Sequence, residues 1–258
     1  MQIFIVLVKR TTQPIGLAML NIVIMQSIYA PLTCWAWIVP EEETQYLNNR
    51  RDHADLLRQH GWWEHEPFEY SMNEHGFRSD PFNTATGVLF LGCSYTMGWA
   101  LPEAHTWARR VSDQLGTACW NLAQGGGSMD TCFRLAEHWI PRLRPRQVMM
   151  LCPGAERLEL VDAQGIPGFY TAQDHATPMV AAWLKHPDNC RLNYSKNLKA
   201  IQQICNEHSI PFHSWPITDL LHGKEATGLA RDLQHVGAEH HLKFAKRVLR
   251  EIDAPGVD

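Results

Sequence analysis

The sequence predicts an α/β protein: a three-layer α/β/α sandwich around a mainly parallel sheet of about five strands. Short apolar runs bounded by turn residues alternate with longer segments whose apolar residues recur every three to four positions. This alternation is typical of parallel strands joined by right-handed crossover helices. The chain has 258 residues, of which 45% are hydrophobic and 19% charged, which is enough to bury a substantial core.

Four short runs are predicted to be strands, and the first, an apolar run bounded by turn residues, is expected to be buried on both faces. These runs are 87–92, 117–123, 147–152 and 210–216. Four segments between and after them have helical periodicity, and Pro141 is expected to end the second. These segments are 105–115, 130–140, 193–208 and 236–252.

The predicted domain organisation is an N-terminal extension over 1–85 and an α/β domain over 86–258, with an irregular insertion or lid at about 155–190. Within the extension, residues 41–60 favour an exposed helix, and 61–83 are loop-like with aromatic anchors. The apolar run 15–30 after Lys9 and Arg10 has two readings that the sequence leaves open. One is a signal or membrane anchor, and the other is a poorly packed extension or helix.

Composition excludes several classes of function. A net charge of −4 gives no basic surface for nucleic acid. The seven cysteines are odd in number and form no C-x-x-C pair, so a zinc ribbon or disulfide scaffold is not expected. Free buried thiols favour a reducing compartment such as the cytoplasm, although the N-terminal run keeps a signal or anchor open. No metal site is predicted: His240 and His241 are adjacent, so on a helix they point about 100° apart.

Small or polar residues follow three of the predicted strands, namely Ser94, the glycines 125–127 and Pro153–Gly154. Ligands of parallel α/β sheets bind outside the carboxyl ends of the strands, so these residues are expected at one binding edge. A serine hydroxyl at this edge becomes a nucleophile only with a base in hydrogen-bond reach and donors for the oxyanion. The alternative role for Ser94 is to cap the helix that follows.

The segment RDLQHVG provides a candidate base, His235, three residues after Asp232. A carboxylate at this spacing in a turn holds the Nδ1–H of the imidazole and leaves Nε2 to take a proton from serine. The alternative is Asp232 as a helix N-cap with His235 in the first turn.

Three short motifs, taken in order, resemble the SGNH (GDSL-type) hydrolases over about residues 87–252. GCSYTMG resembles their G-D-S-x-T-x-G block, NLAQGGGS their second block and DLQH their D-x-x-H block. The resemblance implies a flavodoxin-like sheet and no cofactor. It also implies that Ser94 is the nucleophile, His235 the base and Asp232 its orienting acid, with the Gly126 amide, beside Gly125, in the oxyanion hole.

The chain departs from the family pattern at two places. Cys93 replaces the usual aspartate next to the serine, outside the triad. The third block, normally G-x-N-D, reads CPGAERLE and has no asparagine to donate to the oxyanion. Losing one such donor costs about 3 kcal/mol of barrier, and Arg157 is the candidate replacement.

The predicted function is hydrolysis of a small acyl ester on a sugar, with Trp62, Trp63 and Trp99 as candidate stacking surfaces. An acyltransferase acting on a glycan and a non-catalytic binding module on the same fold remain open. A nucleotide site at GGGS is disfavoured because no lysine follows the glycines. The expected partner is a small-molecule or glycan ester and not nucleic acid, while membrane association through the N-terminus and the oligomeric state stay open.

The stretch NEHGFR, 73–78, resembles N-x-x-G-F-R segments that precede the serine block in some SGNH proteins acting on cell-surface polysaccharides. The alternative is an ordinary loop in which Phe77 packs inward and Arg78 is solvated.

Overall fold

The structure is a computed structural model that describes residues 42–64, 68–83, 86–163, 165–171, 177–222 and 228–253, together with three two-residue strands near the N-terminus. Ten strands are described in this part of the chain. They are β1 (Ile5–Val6), β2 (Val23–Ile24), β3 (Trp37–Ile38), β4 (Tyr70–Ser71), β5 (Gly87–Leu91), β6 (Ala118–Asn121), β7 (Gln147–Cys152), β8 (Arg157–Val161), β9 (Pro167–Thr171) and β10 (Phe212–Pro216).

Nine α-helices and one 3₁₀ turn, Glu103–His105, connect these strands within the same ranges. The helices are α1 (Glu42–Asp52), α2 (Ala54–Gln59), α3 (Ser94–Met97), α4 (Trp107–Leu115), α5 (Met129–Leu143), α6 (Pro178–Lys185), α7 (Pro187–Glu207), α8 (Ile217–Leu221) and α9 (Ala238–Asp253).

The central sheet is parallel, with strand order β10-β7-β5-β6. Leu89 of β5 pairs with Trp120 on one side and Val148 on the other. The prediction of a mainly parallel sheet is confirmed. The sheet has four strands among the described residues, whereas about five were expected.

Alternation along β5 builds the three layers, because successive strand residues face opposite sides of the sheet. Leu89 and Leu91 pack in a core with residues of α5 and α7, whereas Val88 and Phe90 pack in a second core with residues of α4 and α9. All five β5 residues are buried. Both faces of the sheet are therefore covered, as predicted for an α/β/α sandwich.

The structure corrects three details of the sequence prediction. Helix α5 continues through Pro141 to Leu143, so the proline removes one backbone donor but does not end the helix. In its described residues, the region 155–190 is not irregular: β8 and β9 form an antiparallel hairpin, and α6 and the start of α7 follow it. The predicted helix over 41–60 is interrupted at His53.

The N-terminal residues form two small antiparallel pairs, β1 with β2 and β3 with β4. Of the apolar run 15–30, only Val23–Ile24 is described, so the anchor and extension readings both fall largely outside the described residues. Within the described ranges, no helix combines the length and the apolar character needed to span a membrane.

Candidate active site

Ser94 is the first residue of the short helix α3, three positions after the last residue of the buried strand β5. Gly92 makes this sharp connection possible. Its φ of +155° lies where side chains are rare, and a Cβ there would lie 2.2 Å from Thr96 Oγ1. Cys93, in the place of the family's aspartate, is fully buried. Strand, glycine and helix therefore direct Ser94 to the carboxyl edge of the sheet.

Asp232 and His235 occupy a tight turn before α9. Oδ1 of Asp232 accepts hydrogen bonds from the backbone amides of Gln234 and His235, each at 3.0 Å. Aspartate favours such turns because its short side chain pairs with amides two and three residues ahead. The flanking residues Leu229 and Val236 form a β-bridge that closes the loop. Asp232 therefore shapes the turn that carries His235.

The structure brings Ser94, His235 and Asp232 into one hydrogen-bonded chain. Ser94 Oγ lies 2.8 Å from His235 Nε2, and His235 Nδ1 lies 2.5 Å from Asp232 Oδ2. The Asp232 side chain is 1% exposed and that of His235 18%, so the acid is enclosed while the imidazole reaches the surface. Ser94 is itself 8% exposed. This order of groups permits proton transfer from the hydroxyl to the imidazole.

Electrostatics keep Asp232 ionised. Burial alone raises the pKa of its carboxyl, but the hydrogen bond and charge of His235 and the two backbone amides outweigh it. The net result is a pKa of Asp232 below its usual range. An ionised carboxylate at Nδ1 is the partner that a proton-accepting imidazole requires.

Tyr95 is a neighbour of the base that the sequence analysis did not identify. Its ring centroid lies 4.8 Å from that of His235, at an interplanar angle of 55°. Burial raises the pKa of Tyr95, and the charge of Cys93 adds to that effect, while Arg157 opposes it. Its place directly after the serine was the only sequence signal available.

The glycine loop, Gln124–Gly127, packs against the Ser94 connection. The backbone amide of Gln124 donates to Gly92 O at 3.4 Å, and the Gly127 amide donates to Gln124 O at 3.1 Å. Gly126 has a φ of +76°, a conformation that favours glycine, and a Cβ there would lie 3.3 Å from the Phe169 ring. Gly125 lies beside the Trp99 ring. The loop thus lies between the serine strand and the β8–β9 hairpin.

The side-chain amide of Gln124 is buried with neither its nitrogen nor its oxygen hydrogen-bonded to any described group. Nothing in the sequence pattern distinguished this glutamine from its neighbours. Its position in the loop beside Gly92 makes it a polar group near the site that the sequence analysis missed.

Arg157 lies at the start of β8 and donates from Nη1 to the carbonyl of Gly127 at 3.4 Å. It therefore contacts the glycine loop, and its charge acts on Tyr95. The hairpin that carries it is anchored by a buried ion pair in which Arg134 Nε and Glu159 Oε1 are 2.7 Å apart. Thr131 also donates to Glu159, at 2.7 Å. The guanidinium of Arg157 is thus held near the site by a hairpin tied to α5.

Two of the three tryptophans predicted as stacking surfaces have other contacts. Trp62 is 5% exposed and donates from Nε1 to Leu229 O at 2.8 Å. Trp63 packs under the guanidinium groups of Arg50 and Arg58, at 4.6 and 4.2 Å. Trp99, beside Gly125, is the one of the three whose ring adjoins the glycine loop.

The alternative reading of NEHGFR is half correct. Phe77 packs in the core at 1% exposure, but Arg78 is also buried, at 2% exposure, and is not solvated. Its hydrogen bonds go to main-chain carbonyls just after α3, which the sequence could not reveal.

No group of three or more His, Cys, Asp or Glu side chains is arranged to hold a metal ion in the described part of the chain.

Neither family models nor curated proteins match the sequence. Among solved structures, a G-D-S-L lipolytic protein from Veillonella parvula is 14% identical, with a TM-score of 0.35, over 66% of this chain and all of that one. The acetylxylan esterase Axe2 from Geobacillus stearothermophilus is 16% identical, with a TM-score of 0.37, over 67% and 96%. The esterase EstA from Pseudoalteromonas is 13% identical, with a TM-score of 0.37, over 65% and 97%.

These likenesses are too distant to bear on activity, and the fold is assigned from the molecule's own topology. The parallel sheet is covered by helices on both faces, and the residues of the three motifs meet at its carboxyl edge. This is the architecture that the motif resemblance implied: a three-layer α/β/α sandwich around a parallel sheet.

Proposed function

We propose that the protein is a serine esterase of the SGNH type that hydrolyses a small acyl ester. The observation that carries the proposal is the 2.8 Å contact between Ser94 Oγ and His235 Nε2, together with the ionised Asp232 at Nδ1. A hydroxyl, an imidazole and a carboxylate in this order form the nucleophile, base and orienting acid of acyl transfer.

In the proposed reaction, Ser94 Oγ attacks the ester carbonyl carbon while His235 Nε2 accepts the hydroxyl proton. The tetrahedral intermediate collapses, His235 returns the proton to the leaving alcohol, and an acyl-serine remains. Water then attacks the acyl-serine with His235 again as base, which releases the acid and regenerates Ser94. Asp232 holds the imidazole in the tautomer with the proton on Nδ1.

The amides of Ser94 and Gly126 are the proposed oxyanion donors. The first amides of a helix have no intrahelical partner, which leaves the Ser94 amide available. Arg157, which contacts the glycine loop at Gly127, is the proposed charged replacement for the missing third-block asparagine. One donor of this kind is worth about 3 kcal/mol of transition-state stabilisation.

A sugar ester is the substrate class that we propose. The support is the Trp99 ring next to Gly125, because an aromatic face beside the site suits the apolar face of a sugar ring. A glycan acyltransferase shares every step except the last, in which a sugar hydroxyl replaces water. Product analysis with and without an acceptor glycan separates the two, since transfer leaves little free acid.

The deciding experiment measures p-nitrophenyl acetate hydrolysis and fluorophosphonate labelling in wild type and Ser94→Ala. Loss of the nucleophile is expected to abolish labelling and to lower kcat at least about 10³-fold while the thermal unfolding midpoint stays near that of wild type. Undiminished turnover in Ser94→Ala would exclude Ser94 as nucleophile. A wild type that neither hydrolyses nor is labelled would favour the non-catalytic binding module.

A further inference from the structure

The loop before the α/β domain carries one side chain directly to the serine turn. Asn73 Oδ1 accepts hydrogen bonds from the amides of His75 and Phe77, each at 3.0 Å, and Gly76 adopts a φ of +81°. The Asn73 side chain thus closes a tight turn that glycine makes possible. Phe77 enters the core, and Arg78 follows it into the interior.

The Arg78 guanidinium binds the carbonyls at the end of the serine helix. Nη1 donates to Gly98 O at 2.6 Å and to Met97 O at 3.2 Å, and Nη2 donates to Leu101 O at 2.8 Å. Met97 is the last residue of α3, and the last carbonyls of a helix lack intrahelical partners, so this buried end needs a donor; Gly98 O also accepts from the amide of Leu101, at 3.2 Å. The amide of Gly98 in turn donates to Ser94 O at 2.9 Å. Arg78 is therefore two hydrogen bonds from the backbone of Ser94.

The same carbonyl segment also contacts the loop that carries the base. The amide of Ala100 donates to Tyr70 Oη at 2.6 Å, and Ala100 O accepts from the amide of Arg231 at 3.3 Å. Arg231 directly precedes Asp232. The segment from Met97 to Leu101 therefore adjoins both halves of the candidate triad, and Arg78 fixes it from behind.

Holding this segment with a buried arginine is energetically unfavourable compared with a neutral donor. Its partners among the described residues are three main-chain carbonyls and the Tyr70 ring, 3.9 Å away, rather than a carboxylate. Burying a cation that has no hydrogen-bonded carboxylate is unfavourable, and here burial lowers the pKa of Arg78 although the charges of Tyr70 and Glu103 act to raise it. A planar group with several fixed donors can hold three carbonyls at once, which a lysine ammonium cannot do with the same geometry.

We propose that Arg78 is a positioning residue for Ser94: it fixes the carbonyls after α3 and so sets the serine against His235. This inference rests on the proposed esterase function. Arg78 does not touch substrate, and its effect reaches the reaction through the placement of Ser94 Oγ. An error of about 1 Å in such a placement costs about 10²-fold in rate.

The test compares Arg78→Lys and Arg78→Met with wild type by fluorophosphonate labelling rate, kcat and KM, at a temperature well below each unfolding midpoint. Arg109→Lys is the matched control. Arg109 is a partly buried arginine that binds the carboxylates of Asp80 and Glu103 and not the serine segment. We expect the two Arg78 variants to lose about 10–100-fold in labelling rate and kcat, with KM within about twofold.

Arg109→Lys is expected to lower the unfolding midpoint and to leave the labelling rate unchanged. Folded Arg78→Lys with the labelling rate and kcat of wild type would overturn the inference while leaving the esterase intact. A rise in KM of about 10–100-fold with constant kcat would also overturn it, because that pattern reports lost substrate binding. Failure of the wild type itself to be labelled would overturn both the proposed function and this inference. If Arg78→Met does not fold, Arg78→Lys, which keeps the charge, decides.

Discussion

Asp232 uses its two carboxylate oxygens for two different tasks. Oδ1 accepts the amides that shape the turn, and Oδ2 holds Nδ1 of His235. One side chain therefore both places the imidazole and sets its tautomer. A substitution that keeps the first task and removes the second separates structure from chemistry.

Asp232→Asn makes that separation. The amide oxygen of asparagine still accepts from the Gln234 and His235 amides, but its NH₂ group replaces the acceptor at Nδ1 and favours the wrong tautomer. We expect kcat for p-nitrophenyl acetate to fall by about 10⁴-fold with little change in circular dichroism. A kcat within about tenfold of wild type would contradict the assigned role of Asp232.

At the scale of elements, one buried histidine joins α4 and α9, the two helices that pack on the same face of the sheet. Nδ1 of His241, in α9, accepts a hydrogen bond from the Trp107 amide at the start of α4, at 3.1 Å. The first amides of α4 need such a partner because no earlier turn of the helix provides one. Burial, followed by the charges of His240, His235 and nearby arginines, lowers the pKa of His241 to about 3.

This pKa predicts loss of stability in acid. An unfolded histidine binds a proton below about pH 6.5, whereas folded His241 stays neutral until about pH 3. The unfolded chain therefore binds more protons in this window, and stability falls as pH falls, by about 1.4 kcal/mol per pH unit for one group. Above about pH 6.5 this histidine is neutral in both the folded and the unfolded chain, so it causes no loss of stability there.

His241→Gln tests this origin of acid sensitivity. Glutamine retains an oxygen that can accept from the Trp107 amide but does not titrate, so the free energy of unfolding in urea should depend less steeply on pH between about 6.5 and 4. His53→Gln, on the exposed break between α1 and α2, is the control and should keep the wild-type slope. Equal slopes in His241→Gln and wild type would show that other groups set the acid sensitivity.

At the scale of the whole molecule, the cysteines are part of the packing. Six free cysteines lie in the described residues, and all six are buried. Burial raises the pKa of the Cys119 and Cys205 thiols to about 12 and that of Cys152 to about 11. A protonated thiol is a poor nucleophile, so these side chains are expected to behave as small apolar groups.

Thiol titration with a chromogenic disulfide checks this expectation. In a Cys34→Ser variant, which leaves the six buried cysteines, we expect almost no fast reaction at about pH 8 in the native protein and reaction of all six in concentrated urea. Rapid modification of a native thiol would show that at least one of them is accessible.

The N-terminal segment also joins the rest of the molecule through specific contacts. Tyr46, Leu57 and Trp62 pack in one cluster with Ala230, next to the Asp232 turn. Arg231 lies under this cluster, with its guanidinium carbon 3.5 Å from the Tyr46 ring centroid. The domain boundary at residue 85 stays a prediction. Side chains that precede it nevertheless contact both sides of the candidate site: Trp62 donates to Leu229 before the Asp232 turn, and Arg78 donates to Gly98 after the serine helix.

The sequence by itself determined the parts of this protein that depend on local patterns. Short apolar runs next to turn residues specify strands, so β5, β6, β7 and β10 were predictable within a few residues, although in the edge strand β10 only Trp215 is buried. Gly92 and the glycines 125–127 marked the turns at the binding edge, because close backbone approach and positive φ need glycine. Aspartate three residues before histidine predicted the Asp232 turn, because the short aspartate side chain bonds to groups two and three residues ahead of it.

Only the tertiary structure decided which distant groups meet. Nothing near Arg78 in sequence reveals that its guanidinium donates to three carbonyls beyond residue 96, since only the packing of the chain brings these groups together. The β8 run RLELV alternates polar and apolar residues, yet it buries Glu159 and exposes Leu160, because Glu159 pairs with Arg134 of α5 in the fold. Ser94 and His235 are 141 positions apart in the chain, yet their side chains lie 2.8 Å apart. Packing of the whole domain sets this distance, and local propensity does not.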